Sequence, residues 1–200
     1  MANSGSTRIN VISSGYIQIE FSWETNAQSV ANNTSVVVWK LQLISNNTDA
    51  VINSSYSKSW SVTVNGEKYS GKNHITLAGG ETILLASGST TIEHTTDGTK
   101  TFSYSFTQEI QVNFRVDGLV ESLSGSGSGT LDRIARTSTL TAYNGSLNVE
   151  HTLTINRKAS TFKHRLTYKC GDVSGYIAGS ASGFTTATEI KWTPPIGLAH

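Results

Sequence analysis

The stretch Thr101–Leu131, TFSYSFTQEIQVNFRVDGLVESLSGSGSGTL, carries the reading of the fold. Phe102, Tyr104 and Phe106 fall on one phase, Ser103 and Ser105 on the other. Ile110, Val112, Phe114 and Val116 then alternate with Gln111, Asn113 and Arg115. A period of two marks a strand with one face on a core and the other in water. Asp117-Gly118 follows, a pair that readily takes positive φ and closes hairpins. Leu119–Leu123 alternates again, and SGSGSG (Ser124–Gly129) continues the same phase into Thr130-Leu131. Composition alone makes SGSGSG a flexible linker. Its phase makes it a glycine-rich last strand, closely packed by a neighbour.

The same pattern extends outward. In Tyr16–Trp23, Ile17, Ile19, Phe21 and Trp23 share a face opposite Tyr16, Gln18, Glu20 and Ser22. Trp39 is in phase with Val37, Leu41 and Leu43, and Trp60 with Val62 and Val64. Asn65-Gly66, Asp97-Gly98 and Asn144-Gly145 supply further turn pairs, read as hairpin turns. No helical period appears, so the expected class is all-β, a β-sandwich or jelly roll. The boundary is placed at Asp132–Thr137, which divides the chain into 1–134 and 135–200. Charge changes there, with eight Lys/Arg against eleven Asp/Glu before residue 135 and seven against three after it. In the second part, Thr161–Cys170 reads as the clearest strand. Phe162, His164, Leu166, Tyr168 and Cys170 share one face, and Lys163, Arg165, Thr167 and Lys169 the other.

Composition narrows the function. Only 14% of the 200 residues are charged and the net charge is +1, so no strong field draws in nucleic acid. Cys170 is the single cysteine, which excludes an intrachain disulfide. No apolar run approaches the roughly 20 residues of a membrane helix. No charged start followed by an apolar core marks a signal peptide, so the chain is expected not to be exported by that route. The histidines lack metal-ligand spacing, and no P-loop, GxSxG or GxGxxG fingerprint is present. Glu20 and Glu24 could pair for glycoside cleavage but read better as solvated strand charges. Neither catalysis nor a cofactor or metal is expected.

Saccharide binding needs an outward aromatic ring under the sugar, with Asn, Asp, Gln or Arg on the hydroxyls. Alternation turns Trp23, Trp39 and Trp60 inward. Tyr16, Tyr56 and Tyr69 remain as possible outward rings. The candidate sugar-binding residues are therefore Tyr56, in the polar stretch 53–59, and Tyr69, after the Asn65-Gly66 turn. Trp39 joins them, because Val36 and Val38 make the inward face of its strand ambiguous. Lys163, Arg165 and Lys169 could meet an anionic wall polymer such as teichoic acid but read better as a solvated strand face.

Several segments, in order, carry a family resemblance: MANSGS (Met1–Ser6), QSVANNTSVV (Gln28–Val37), SWSVTVNGEKYSG (Ser59–Gly71), HTTDGTKTFSYS (His94–Ser105), GSGTLDRIAR (Gly127–Arg136) and the tail Trp192-Thr193-Pro194-Pro195 with Leu198-Ala199. Together they resemble the minor structural and tail-fibre, host-recognition proteins of siphophages and prophages of Gram-positive bacteria. Ala135 departs from that pattern, which has proline there. The resemblance implies a carbohydrate-module-like sandwich followed by immunoglobulin-like sandwiches. An immunoglobulin-like sandwich takes about 100 residues, so residues 135–200 are expected to be a truncated one. The resemblance further implies a virion tail protein made in the host cytoplasm and assembled with other phage tail proteins as a homo-oligomer. Its expected partner is cell-wall polysaccharide or teichoic acid. The alternatives are a purely structural tail or baseplate spacer and the wall-binding part of a phage hydrolase.

Overall fold

The computed structural model describes residues 3–54, 56–141 and 145–195. The protein is all-β, as expected, and divides into two compact units. The first comprises Met1–Thr95 and Thr99–Ile134; the second comprises Thr96–Gly98 and Ala135–His200.

The first unit is a β-sandwich. One sheet has the order β1 (Ser4–Asn10), β2 (Ile17–Ser29), β3 (Thr34–Ser45), β8 (Thr82–Glu93). The other has the order β10 (Gly118–Leu131), β9 (Lys100–Phe114), β5 (Lys58–Val64), β6 (Glu67–Asn73). A small pair, β4 (Ile52–Asn53) with β7 (Thr76–Leu77), completes it. The alternating residues interdigitate between the sheets. Phe21 stacks on Tyr104 at 4.5 Å between ring centroids and lies 5.9 Å from Phe106. Trp23 meets Phe102 edge-on at 4.9 Å, and Trp39 meets Trp60 at 6.5 Å. Trp60 is partly buried at the margin of this cluster.

SGSGSG is strand, not linker. Gly125, Gly127 and Gly129 pair directly with Phe106, Tyr104 and Phe102. A Cβ on any of the three would collide with the ring opposite it. Bulky rings in mid-strand therefore require bare backbone on the neighbouring strand. Asn65 and Gly66 both take positive φ in the β5–β6 hairpin, 50° and 86°, which suits a primed two-residue turn. Asp97-Gly98 differs from its reading as a hairpin turn. The strands that flank it, β8 and β9, lie in different sheets, so this turn carries the chain across the sandwich. Asn144 of the Asn144-Gly145 pair lies outside the described residues.

The core face of β9 runs from Phe102 to Ile110 and includes Gln108, which is fully buried. Its amide nitrogen donates to the carbonyl of Glu109 at 2.9 Å and to Asn73 Oδ1 at 3.3 Å. At Gln111 the φ is 50° and the register with β10 shifts. Buried Lys58 donates to Gln111 Oε1 at 2.9 Å and holds this bulge in place. Such a bulge bends its strand. Past it the hairpin tip leaves the core, and Val116, expected on the apolar face, is 86% exposed.

The second unit contains β11 (Thr139–Leu140), β12 (His151–Asn156) and β15 (Glu189–Trp192) in one sheet, and β13 (Leu166–Cys170) with β14 (Val173–Ala178) in another. The described residues of this unit form five strands, and an immunoglobulin constant-type sandwich has seven. The strand expected over Thr161–Cys170 begins only at Leu166, after a single bridge between His164 and Thr185. Arg157 is the reason. Its guanidinium donates to the carbonyls of Ser160, Phe162 and Thr186, which turns the preceding residues away from extended pairing. The alternation in exposure survives: Phe162, His164, Leu166, Tyr168 and Cys170 are half-buried and the residues between them exposed.

Candidate functional site

The three rings singled out from the sequence do not form a site. Trp39 is 1% exposed, its ring packed among Phe21, Trp60 and Tyr69, so it offers no face to a sugar. Its neighbours Val36 and Val38 take the outward phase, half-buried on the sheet surface. Tyr69 is also corrected. Its ring lies 5.1 Å from that of Trp39, and its hydroxyl donates to the Ser89 carbonyl at 2.8 Å and lies 2.9 Å from Thr90 Oγ1. It closes the side of the sandwich where β6 faces β8, and burial raises its phenol pKa. Tyr56 is 76% exposed, in the loop before β5, apart from both other rings and from the cleft that follows.

The fourth outward candidate by phase, Tyr16, has the better surroundings. It is 49% exposed and lines a cleft of about 500 Å³ at one end of the first sandwich. Three loops build the cleft: the β1–β2 loop with Tyr16, the β3–β4 loop with Asn47, Asp49 and Val51, and the β9–β10 tip with Arg115, Val116 and Asp117.

The loops are pinned to one another. Asp117 Oδ1 accepts the Ser13 amide at 2.8 Å, joining hairpin tip to β1–β2 loop. Hydrogen bonding by the Ser13 side chain and then by its amide holds the Asp117 carboxyl below its ordinary pKa. The Asn46 amide donates to the Tyr16 carbonyl at 2.7 Å, joining the β3–β4 loop to the same residue. Within that loop, Asn47 Oδ1 accepts the Asp49 amide at 2.8 Å, an Asx turn. Buried Ser45 Oγ lies 2.8 Å from the Asn47 carbonyl and 2.7 Å from that of Ala50. Bonds from side chains and backbone to the backbone thus fix the cleft walls, whereas other groups that line it are uncommitted. Among the described residues, the Arg115 guanidinium, the Asp49 carboxylate and the Asn47 amide nitrogen have no hydrogen-bond or ion-pair partner. An aromatic ring, two exposed valines, a cation, a carboxylate and an amide donor therefore share one rigid concavity.

The sequence placed Tyr16 outward but not in company. Its partners lie about thirty and a hundred residues away, in loops without period.

Glu20 and Glu24 occupy the outer face of β2, where they line a shallow groove with Ser4, Ser22 and Lys40. Glu20 is bound to Arg8 at 2.9 Å. Four residues of strand separate the Cα atoms of the two glutamates by about 13 Å. Among the described residues no group of three His, Cys, Asp or Glu side chains could hold a metal ion.

No curated protein matches the chain. Residues 12–200 match the family model described as siphovirus protein of unknown function (DUF859), and the chain belongs to that family of siphophage proteins.

Proposed function

We propose that this chain is an adhesion module of a siphophage tail, binding saccharide of the Gram-positive cell wall without catalysis. The observation that carries the reading is the cleft around Tyr16. Its ring supplies the apolar platform that the C–H face of a sugar requires, and Asn47, Asp49 and Arg115 supply donors and acceptors for hydroxyls. Because the loops are fixed by hydrogen bonds to their backbone, binding freezes little additional freedom. A cleft this open holds a single sugar weakly, so several copies per tail would multiply the effect. Membership of a siphovirus family fits a place in the virion.

The test is adsorption of the purified chain to host cell walls, backed by a glycan array. Tyr16→Ala should abolish adsorption and leave the melting temperature unchanged, and Arg115→Ala should weaken it at least about tenfold. Unaltered adsorption of Tyr16→Ala would remove the cleft from the function. Failure of the unaltered chain to bind any wall preparation would favour a structural spacer.

A further inference from the structure

Lys58 is out of place by residue type. It opens β5 on the inward phase of Val62 and Val64 and is 5% exposed. A lysine this buried is normally paired with an opposite charge. Among the described residues Lys58 has no ion-pair partner. Its amine instead meets a carboxamide, donating to Gln111 Oε1 at 2.9 Å. Its cross-strand neighbour on β6 is another carboxamide, Asn73, which accepts from the buried Gln108.

Gln111 is out of place by backbone. Four non-glycine residues take positive φ among those described. Asn33, Asn65 and Asn148 do so in turns, whereas Gln111 does so inside β9. Such a conformation is costly and persists where its surroundings impose it. Bulges re-aim side chains, and this one brings Gln111, outward by phase, to an amine held inside. A carboxylate completes the group. Glu109 accepts the Ser59 amide at 2.9 Å, next in sequence to Lys58. Its pKa is lowered first by that amide, then by the Ser59 side chain, and in smaller part by the Lys58 and Lys72 charges. Nucleophile, acyl group and base thus stand together on adjacent strands.

We infer that Lys58 and Gln111 join in an intramolecular isopeptide bond, with Glu109 as the proton carrier. Lys58 yields one ammonium proton to Glu109, and its Nζ lone pair attacks the Gln111 Cδ carbon. Glu109 returns that proton to the departing nitrogen and takes a second from the newly bonded Nζ. The Cδ–Nε2 bond breaks, its electron pair leaving with ammonia. The ammonia carries off the second proton as ammonium, and Glu109 is again a carboxylate. An ammonium and a carboxamide thereby become an amide and free ammonium, with no change of oxidation state. The bond would tie the start of β5 to the bulge below the β9–β10 tip. A chain with one cysteine would gain by it a covalent staple that no disulfide supplies. The inference does not depend on saccharide binding.

The experiment is intact-mass spectrometry of the full chain, followed by digestion and peptide sequencing. The unaltered chain should be lighter than its sequence by one ammonia, about 17 Da. A branched peptide should join residues 58 and 111. Lys58→Met and Gln111→Ala should each carry their full sequence mass and migrate more slowly than the linked chain on a denaturing gel. Glu109→Gln should leave most of the chain unlinked. Full sequence mass in the unaltered chain would overturn the proposal. So would an ammonia loss that persists in Lys58→Met, or that maps to Asn65-Gly66 or Asn144-Gly145, where a succinimide also releases ammonia. Complete linkage in Glu109→Gln would overturn the role of Glu109.

Discussion

In the first unit, 22 buried hydrophobic residues form one cluster between two four-stranded sheets. In the second, Leu153, Ile155 and Ala159 are the buried hydrophobic residues among those described. The two units therefore hold together differently. The first relies on ring-on-ring packing, where burial of apolar surface dominates. The second has a three-stranded and a two-stranded sheet, and pairs this small are marginal alone. It adds arginine clamps: Arg157 on three loop carbonyls and Arg165 on the loop at Ser180–Ala181. Tyr168 on Trp192, at 5.7 Å, links its two sheets. The difference teaches that an all-β chain need not share one source of cohesion. The second unit should open more readily than the first.

The comparison can be broken most directly in the first core. Trp39→Ala should cost about 3–5 kcal/mol, read as a large fall in the melting temperature of the first unit. The second unit's opening, followed by hydrogen exchange in β12 and β13, should stay unchanged. A joint shift would mean that the units do not melt separately. Gly127→Val forces a side chain under the Tyr104 ring and should cost about 1–3 kcal/mol. A neutral result would show that the ring can move aside. Arg157→Ala removes charge-assisted bonds to carbonyls, worth about 1.5 kcal/mol at this partly exposed place. Hydrogen exchange in β12 and β13 should accelerate while β2 and β3 keep their protection. Equal acceleration everywhere would contradict the division.

The smallest effect concerns acid. The folded Asp117 carboxyl sits below its ordinary pKa of 3.8 because it accepts hydrogen bonds from the Ser13 side chain and from the Ser13 amide. Its contribution is present above 3.8 and fades as pH falls through the lowered folded value. The Ser13 amide resonance should therefore move in that acid range, with little change in global melting. Asp117→Asn should remove the movement.

Local features of the sequence were the legible ones. The phase of Ile17–Trp23 and of Phe102–Phe106 gave the core face, because a strand declares its faces every second residue. SGSGSG was readable as strand for the same reason. What the chain does at a distance was not readable. Asp97-Gly98 has hairpin chemistry, yet pairing depends on where β9 finds a partner, and it finds β5 and β10. Tyr69 followed a turn and looked exposed, but β6 lies over the edge of the sandwich and carries its ring onto Trp39. The bulge at Gln111 has no glycine to announce it. The cleft depends on that bulge and on loops meeting from three places, so its residues carried no common signal.

The glycines beneath the rings have a consequence for inheritance. Gly88 under Trp39, Gly71 under Trp60, and Gly5 and Gly129 under Trp23 repeat the arrangement seen along SGSGSG. Each glycine and the ring above it are a socket and a plug. Neither member can drift alone: enlarging the socket residue expels the ring, and shrinking the plug leaves a void. Substitutions at these positions should therefore travel in pairs among related chains, a small residue growing only where the facing aromatic has shrunk.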